Sequence, residues 1–283
     1  MNKMTGEKQK FKKLLEKSVL YSSLIIFLMI SIFPFYWMFV GSSNHTSKMF
    51  TNPPTLSFGD QFMTNLTNLN NAIGIYRVLF NSLYVSLMTV FLSLIVCTLA
   101  AYALSKFQFR GRNTIFLVFM LSMMIPYQAT LIPLFRMMTH FELLNTYFAL
   151  IAPQLCVPFA IFLMRQNFLA FPIALIESAR IDGAGELKIF FNIVLPSMKP
   201  ALAATAIFLF MMQWNSFMWP LVATTSEDMY TIPVALSSLI GISIIDYGQV
   251  MVGITIATIP IIIFFLLLQR HFISGMLGSA VKE

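Results

Sequence analysis

Side chains that could bind or transform a substrate are few in this chain of 283 residues, and they fall into two groups. One is a run of six charges within residues 177–200, "ESARIDGAGELKIFFNIVLPSMKP"; the other consists of amides inside apolar stretches. The three histidines, His45, His140 and His271, lie far apart, and the phosphate-binding pattern G-x-x-x-x-G-K-[ST] does not occur. We therefore predict a protein that is not an enzyme and that binds neither a metal nor a cofactor itself.

The polar residues inside apolar stretches are candidates for lining a path through the protein: Gln128, Gln154, Gln213, Trp214 and Asn215. Burying an amide in lipid is costly unless it is paired or hydrated. Prolines flank Gln128 and Gln154, and a proline leaves a backbone carbonyl without its helical partner. Such a carbonyl is tolerated only against protein or a water-filled cavity. An aromatic ring beside an amide suits a sugar. The alternative is that these residues bond helix to helix and that the tryptophan belongs to an interfacial belt.

The elements that must position these residues are transmembrane helices. The chain is 58% hydrophobic and only 10% charged, far from the balance of a soluble domain. Crossing a membrane takes about 20 apolar residues per helix. Six stretches qualify: 18–40, 79–104, 114–135, 145–164, 200–222 and 248–269. The apolar segment 232–245 is short and is predicted to be interfacial or re-entrant. The expected fold is an all-α integral membrane protein with six transmembrane helices.

The positive charges orient the six predicted helices. Fifteen of the 18 Lys and Arg residues fall on the side that holds both termini and the loops 105–113 and 165–199, which marks this side as cytoplasmic. The scattered basic residues form no nucleic-acid-binding stripe. The predicted organisation is a basic cytoplasmic tail, a first transmembrane helix, an extracytoplasmic loop, a five-helix core containing the loop 172–199, and a cytoplasmic C-terminal tail: 1–17, 18–40, 41–78, 79–270 and 271–283.

The charged insert is predicted to fold as two short helices joined at glycines. Pro172 suits the start of a helix over 173–182, in which Glu177 and Arg180 are spaced to pair. Gly183 and Gly185 tolerate the positive φ that a helix end needs. The second helix carries one apolar stripe and ends at a proline: Leu187, Phe190, Phe191, Val194, Leu195 and Pro196. An amphipathic linker lying on the membrane is the alternative.

The insert resembles the coupling motif of permease subunits of ATP-binding-cassette (ABC) importers, E-A-A, a spaced Gly, then I-x-L-P. The matching residues are Glu177, Ala179, Asp182, Gly183, Ile193, Leu195 and Pro196; Ser178 replaces an alanine. The resemblance extends to sugar permeases of the maltose-transporter type, and to the smaller of the two paired subunits. It is carried by "NSLYVSLMTVFLSLIVCTLAAYALSKFQFRGR", "MIPYQATLIPLF", "FLMRQNF" and "QWNSFMWPL", at 81–112, 124–135, 162–168 and 213–221.

The resemblance implies a multi-pass protein of a prokaryotic cell membrane that works within a complex. Its partners would be a second homologous permease in a heterodimer, two cytoplasmic ATPase subunits that use ATP, an extracytoplasmic solute-binding protein, and the sugar. The residues implied to couple to the ATPase are Glu177, Ala179, Arg180, Asp182 and Gly183. Those implied to shape the coupling loop are Ile193, Leu195 and Pro196.

Three other functions stay open. An ABC permease for a non-sugar solute such as glycerol-phosphate would share the same motifs. An ion-coupled secondary transporter would need acidic residues inside the membrane, and the six predicted helices contain none. An integral-membrane enzyme would need clustered ionisable groups at one membrane face, which the stretches from 79 to 164 lack except for Lys and Arg near their ends.

Overall fold

The computed structural model describes residues 2–240 and 245–280, with side chains described for 12–240 and 245–270. Within these residues every regular element is helical, which confirms the all-α prediction. The α-helices are α1 Asn2–Ser42, α2 Thr46–Met49, α3 Phe62–Ile73, α4 Ile75–Lys106, α5 Arg112–Ser122, α6 Tyr127–His140, α7 Tyr147–Ile151, α8 Pro158–Ala170, α9 Ile173–Ile181, α10 Glu186–Ile189, α11 Leu195–Ser197, α12 Lys199–Trp214, α13 Met218–Ala223, α14 Ile232–Ile240 and α15 Tyr247–Ala280. Residues 241–244 of the segment 232–245, and part of the predicted tail 271–283, lie outside the described residues.

Three described helices are long and apolar enough to cross a membrane: α1 from Lys12, α4, and α15 as far as Arg270. Three bent pairs also qualify when each is taken as one span, which gives up to six. The bend is 100° between α5 and α6, 45° between the segment Tyr147–Gln154 and α8, and 80° between the segment Glu186–Ser197 and α12. The first two bends fall inside 114–135 and 145–164 and contradict continuous helices there, whereas the third lies before 200–222, which is interrupted instead at 215–217.

Prolines explain where these helices are interrupted. Pro126 precedes α6, Pro158 opens α8, and Pro220 lies in the first turn of α13. Each lacks the N–H that would bond to the carbonyl four residues earlier, and its ring clashes with that carbonyl. Residues 215–217 are accordingly non-helical, in the middle of the predicted fifth span.

The chain divides into two compact units, and the smaller one comprises Met1–Ala72 and Ser243–Ile256. Its centre is the buried amide of Asn65, whose Nδ2 donates to the carbonyls of Ser42 and Asn44 at 3.0 Å each. A Cβ at position 248 would lie 2.7 Å from the same nitrogen, so glycine is required there. This amide fixes the end of α1 and the loop that follows it.

The larger unit comprises Ile73–Ile242 and Ala257–Glu283, and α4 is its central helix. Small side chains form the buried face of α4 and let α8 and α12 approach closely: Ser82, Ser86, Thr89, Ser93, Cys97 and Ala101. Ser93 donates to the carbonyl of Gln154 at 3.2 Å, directly at the interruption before α8. Cys97 is buried, whereas Cys156, in that non-helical interruption, is exposed.

Candidate functional site: a glycine elbow and a polar cleft

The first candidate site is α9 and the turn that follows it. The helix begins directly after Pro172, which stands at its N-cap with φ −60°, so the predicted helix over 173–182 is confirmed to within one residue. Ile176 and Ala179 are buried, while Glu177 and Arg180 are exposed. One face of α9 is thus anchored in the core, and the face with the charges is open.

Gly183 ends α9 in the left-handed conformation that the sequence predicts, with φ +78°. Its N–H donates to the carbonyl of Arg180 and that of Ala184 donates to the carbonyl of Ala179, both at 3.0 Å. This pair of bonds is the Schellman motif, in which glycine occupies the position of positive φ. The same prediction for Gly185 is wrong: its φ is −71°, and it opens α10 as an N-cap.

Helix α9, the turn at Gly183 and the helical segment 186–197 form a bend, called the elbow below, and an ion pair with an unexpected partner closes it. The Nε of Arg180 donates to Oε1 of Glu186 at 2.6 Å, which corrects the predicted pairing of Arg180 with Glu177. Helix spacing favours Glu177, three residues earlier, but the turn at Gly183 brings Glu186 of the next helix back against the guanidinium. Hydrogen bonding to the Glu186 carboxylate raises the pKa of Arg180 above its usual value.

The second arm of the elbow does not present the single apolar stripe that the spacing predicts. Ile189, Phe190 and Val194 are buried, whereas Leu187 and Phe191 are 70% and 54% exposed. The stripe assumes a regular period of 3.6 residues, and the arm is not regular. The predicted packing is therefore correct for two of the stripe's residues and wrong for two others.

This arm contains a π-helix over Phe190–Val194. The N–H of Leu195 donates to the carbonyl of Phe190, five residues back, so this turn is wider than an α-helical turn. Pro196 follows at once and has no N–H to continue an α-helical ladder. The chain nevertheless stays helical as far as Ser197. Ile193 and Leu195 pack on the core, and Pro196 is exposed.

Aromatic contacts and a hydrogen bond connect the elbow to the C-terminal ends of α4 and α8. The Tyr102 ring lies with its centroid 4.9 Å from that of Phe190 and 5.6 Å from that of Phe168. Lys106, the last residue of α4, donates from Nζ to the carbonyl of Phe171 at 2.7 Å, immediately before the elbow. Movement of the elbow is thus tied directly to α4 and α8.

The second candidate site is a cleft of about 480 Å³ where the helix interruptions meet. Tyr127 begins α6 after one interruption, Gln154 stands before the next, and residues 212–218 span the third. Non-helical backbone at membrane depth is tolerated where it is buried in protein or lines a water-filled cavity. The lining residues are Tyr127, Gln154, Met212, Gln213, Asn215, Ser216, Phe217 and Met218.

Three of the five predicted path residues lie in this cleft, and Tyr127 joins them. Nε2 of Gln154 donates to the Tyr127 hydroxyl at 3.4 Å, a long hydrogen bond that a bound hydroxyl group could replace. Nδ2 of Asn215 donates to the carbonyl of Met211 at 2.8 Å, which leaves its Oδ1 as an acceptor at the cleft. Gln128 is the predicted contact, but its neighbour Tyr127 lines the cleft instead, and only the direction of α6 distinguishes the two.

Trp214 and Gln128 lie elsewhere. Trp214 is 3% exposed, its Nε1 donates to the carbonyl of Ala257 at 3.2 Å, and its ring stacks on Phe210 with centroids 5.4 Å apart. Gln128 is exposed on the first turn of α6. Trp214 thus bonds helix to helix in the core rather than belonging to an interfacial belt, the alternative that was left open for it.

The side chains that line the cleft carry no charge and combine amides, hydroxyls and aromatic rings. Such a set offers donors and acceptors to hydroxyl groups and apolar faces to a ring. It provides no cation to balance a phosphate or carboxylate, which would need charge-assisted hydrogen bonds.

Comparisons with known proteins agree with this geometry. The chain is 38% identical to the lactose transport system permease protein LacG of Rhizobium radiobacter, over 92% of this chain and 95% of that protein. It is also 38% identical to the arabinooligosaccharides transport system permease protein AraQ of Halalkalibacterium halodurans, over 89% and 92% of the two chains. The sn-glycerol-3-phosphate transport system permease protein UgpE of Yersinia pestis is 33% identical, over 90% and 94%.

The same fold occurs in a chain of a bacterial ABC transporter involved in the import of the acidic polysaccharide alginate. The TM-score is 0.79 at 24% identity, covering 92% of this chain and 98% of that one. The family of binding-protein-dependent transport system inner membrane components matches residues 93–278, a range that contains the elbow and the cleft. The chain belongs to this family of inner membrane transport components.

Proposed function

We propose that this chain is a permease subunit of an ATP-driven, binding-protein-dependent importer of a neutral sugar or oligosaccharide. The observation that carries the proposal is the uncharged, hydrogen-bonding cleft at the junction of the interrupted helices. Discontinuous helices with polar groups at their breaks are a recurrent way of building a transport site within a membrane. The names of LacG and AraQ support a saccharide substrate.

The proposed topology has six spans, over 18–40, 79–104, 114–135, 145–164, 200–222 and 248–269, and places both termini in the cytoplasm of a prokaryotic cell. The excess of Lys and Arg on one side of the spans supports this orientation. The elbow then lies on the cytoplasmic side, and residues 41–78 lie outside the cell, facing a solute-binding protein.

The exposed face of α9 is the proposed contact with a cytoplasmic ATPase subunit. Glu177, Arg180 and Asp182 stand on it, Ala179 holds its opposite side in the core, and Gly183 sets the angle of the bend. Each of two ATPase subunits would dock on one permease, this chain and a homologous partner. ATP would bind and be hydrolysed in those subunits, and this chain would bind no cofactor itself.

The proposed path contacts are Tyr127, Gln154, Gln213 and Asn215. A phosphorylated solute, as the relative UgpE suggests, is the alternative substrate. The cleft favours the neutral saccharide, because a phosphate would enter it without a cationic partner from this chain. The remaining contacts would come from the partner permease.

Uptake of a panel of labelled sugars by a strain that carries this importer as its sole route tests the proposal. We expect Gln154→Leu and Asn215→Leu each to weaken uptake about two- to tenfold, the factor for one lost hydrogen bond between neutral groups. Gln128→Leu is the matched control, because it removes an exposed amide outside the cleft. Uptake of glycerol-phosphate in preference to every sugar, or no change in both cleft variants, would contradict the proposal.

A further inference from the structure

Two buried polar atoms at the elbow have no hydrogen-bond partner among the described residues. They are the hydroxyl of Tyr102, near the end of α4, and Oε2 of Glu186, at the start of α10. Glu186 exposes 40% of its side chain, yet this oxygen is turned inward and buried. Buried polar groups in proteins are almost always bonded, so two such atoms in one place require an explanation.

The two atoms belong to one cluster. The N–H of Phe190 bonds to the carbonyl of Glu186, so these two side chains lie one helical turn apart on the same side of the arm. The Phe190 ring packs on Tyr102 with centroids 4.9 Å apart, which brings the Glu186 carboxylate to the same tyrosine. Glu186 and Arg180 both act electrostatically on the Tyr102 hydroxyl.

Their chemistry is complementary. A phenol donates one hydrogen bond, and an ionised carboxylate only accepts. Oε1 of Glu186 is already bonded to Arg180, and Oε2 is the remaining acceptor. A hydrogen bond from the Tyr102 hydroxyl to Oε2 would give both unpartnered atoms a partner. It would be charge-assisted, and therefore stronger than a hydrogen bond between neutral groups.

We propose that Tyr102 and Glu186 form a latch that closes in one state of the transport cycle and is open in this structure. With the latch closed, Arg180, Glu186 and Tyr102 form a continuous hydrogen-bonded chain from the coupling helix α9 to α4. Tyr102 and Glu186 are positioning residues, because they act through the elbow and contact neither substrate nor ATP. This inference rests on the proposed coupling role of the elbow.

Closing the latch requires only a shift of α10 against α4, since the two side chains already share the Tyr102–Phe190 contact. Arg180 links that shift to α9 through its bond to Oε1 of Glu186. A displacement of α9 would thus form or break the hydrogen bond between Tyr102 and Glu186. Two arrangements of the same groups then give the elbow two discrete states.

The test is a double-mutant cycle on the reconstituted importer, with sugar transported per ATP hydrolysed as the readout. We expect Tyr102→Phe, which keeps the ring and removes the hydroxyl, to lower this ratio about tenfold, the factor for one charge-assisted hydrogen bond. We expect Glu186→Ala to lower it at least as much, and Tyr102→Phe to have no further effect in that background. Tyr76→Phe, at an exposed position on α4, is the matched control.

A purely structural role for the two residues would reduce the amount of assembled complex and leave the transport ratio unchanged. Additive effects of the two substitutions, or a wild-type ratio for Tyr102→Phe, would overturn the latch. Glu177→Lys separates this failure from failure of the proposed function. If the latch variants behave as wild type while Glu177→Lys loses the ATPase subunit, only the latch is wrong; if Glu177→Lys also has no effect, the coupling role itself is refuted.

Discussion

A substitution at Gly183 tests how strongly the elbow angle depends on a single backbone conformation. Gly183 has φ +78°, and no atom lies within 4 Å of the position that a Cβ would occupy. Any penalty for Gly183→Ser therefore comes from the backbone alone and not from a clash. A left-handed non-glycine residue costs roughly 1–2 kcal/mol, which lowers the ratio of the native elbow to its other conformations by a factor of about 5–30.

The assay is co-purification of the ATPase subunit, together with sugar-stimulated ATP hydrolysis by reconstituted complexes. We expect Gly183→Ser to lower both, by at most the factor of about 5–30 given above. Gly185→Ser is the matched control, since its site is equally open but has φ −71° at an N-cap, where serine is favoured. We expect the control to match the wild type, and Gly183→Asn to fall between the two because asparagine tolerates positive φ.

Equal behaviour of the two serine variants would refute the reasoning. Wild-type association in both would mean that the angle at Gly183 is irrelevant to docking. Equal loss in both would mean that added bulk at the elbow, rather than backbone strain, disturbs the contact. The amount of each variant in the membrane is measured as a control. It is expected to be normal, because the substitutions leave the apolar helices unchanged.

Two further predictions concern topology and the core. Single cysteines at Ser57 and Thr225 should react with membrane-impermeant thiol reagents in intact cells, and one at Ser178 should react only with permeant reagents; all three positions are exposed. Labelling of position 178 from outside would reverse the proposed orientation. Trp219→Phe should destabilise the protein by about 1–3 kcal/mol, because it leaves the buried carbonyl of Ala149 without the 2.8 Å bond from Nε1. Thermal unfolding in detergent measures this loss, and an unchanged midpoint would contradict it.

The elbow was predictable because local chemistry determines it. Pro172 and Gly183 each impose one backbone conformation, so the ends of α9 follow from residue type alone. The partner of Arg180 was not predictable, since it depends on how the chain turns after Gly183. The buried face of the second arm was predicted only in part, because it depends on how the chain turns at Gly183 and not on the spacing of apolar residues alone; Leu187, which precedes the π-helix, is exposed.

The cleft was predictable only in part. Gln154, Gln213 and Asn215 attract attention because amides are rare inside apolar stretches, and all three line the cleft. The 100° bend between α5 and α6 decides that Tyr127 joins them, and no local pattern encodes that angle. Trp214 was misjudged because its sequence neighbours lie at the cleft while its own side chain points along the helix toward α15.

The continuity of α4 has a mechanical consequence. It runs unbroken for 32 residues, bonds through Ser93 to the backbone of Gln154 in the cleft, and bonds through Lys106 to the backbone just before the elbow. These two attachments are 13 residues apart, about 20 Å along a helix. Because a helix is stiff along its axis, we expect a displacement along the axis at Lys106 to be transmitted to Gln154. The bent pairs are interrupted, whereas α4 is continuous. Helix α4 is therefore the rigid element that connects the elbow to the cleft, and bending is confined to the interruptions at the prolines.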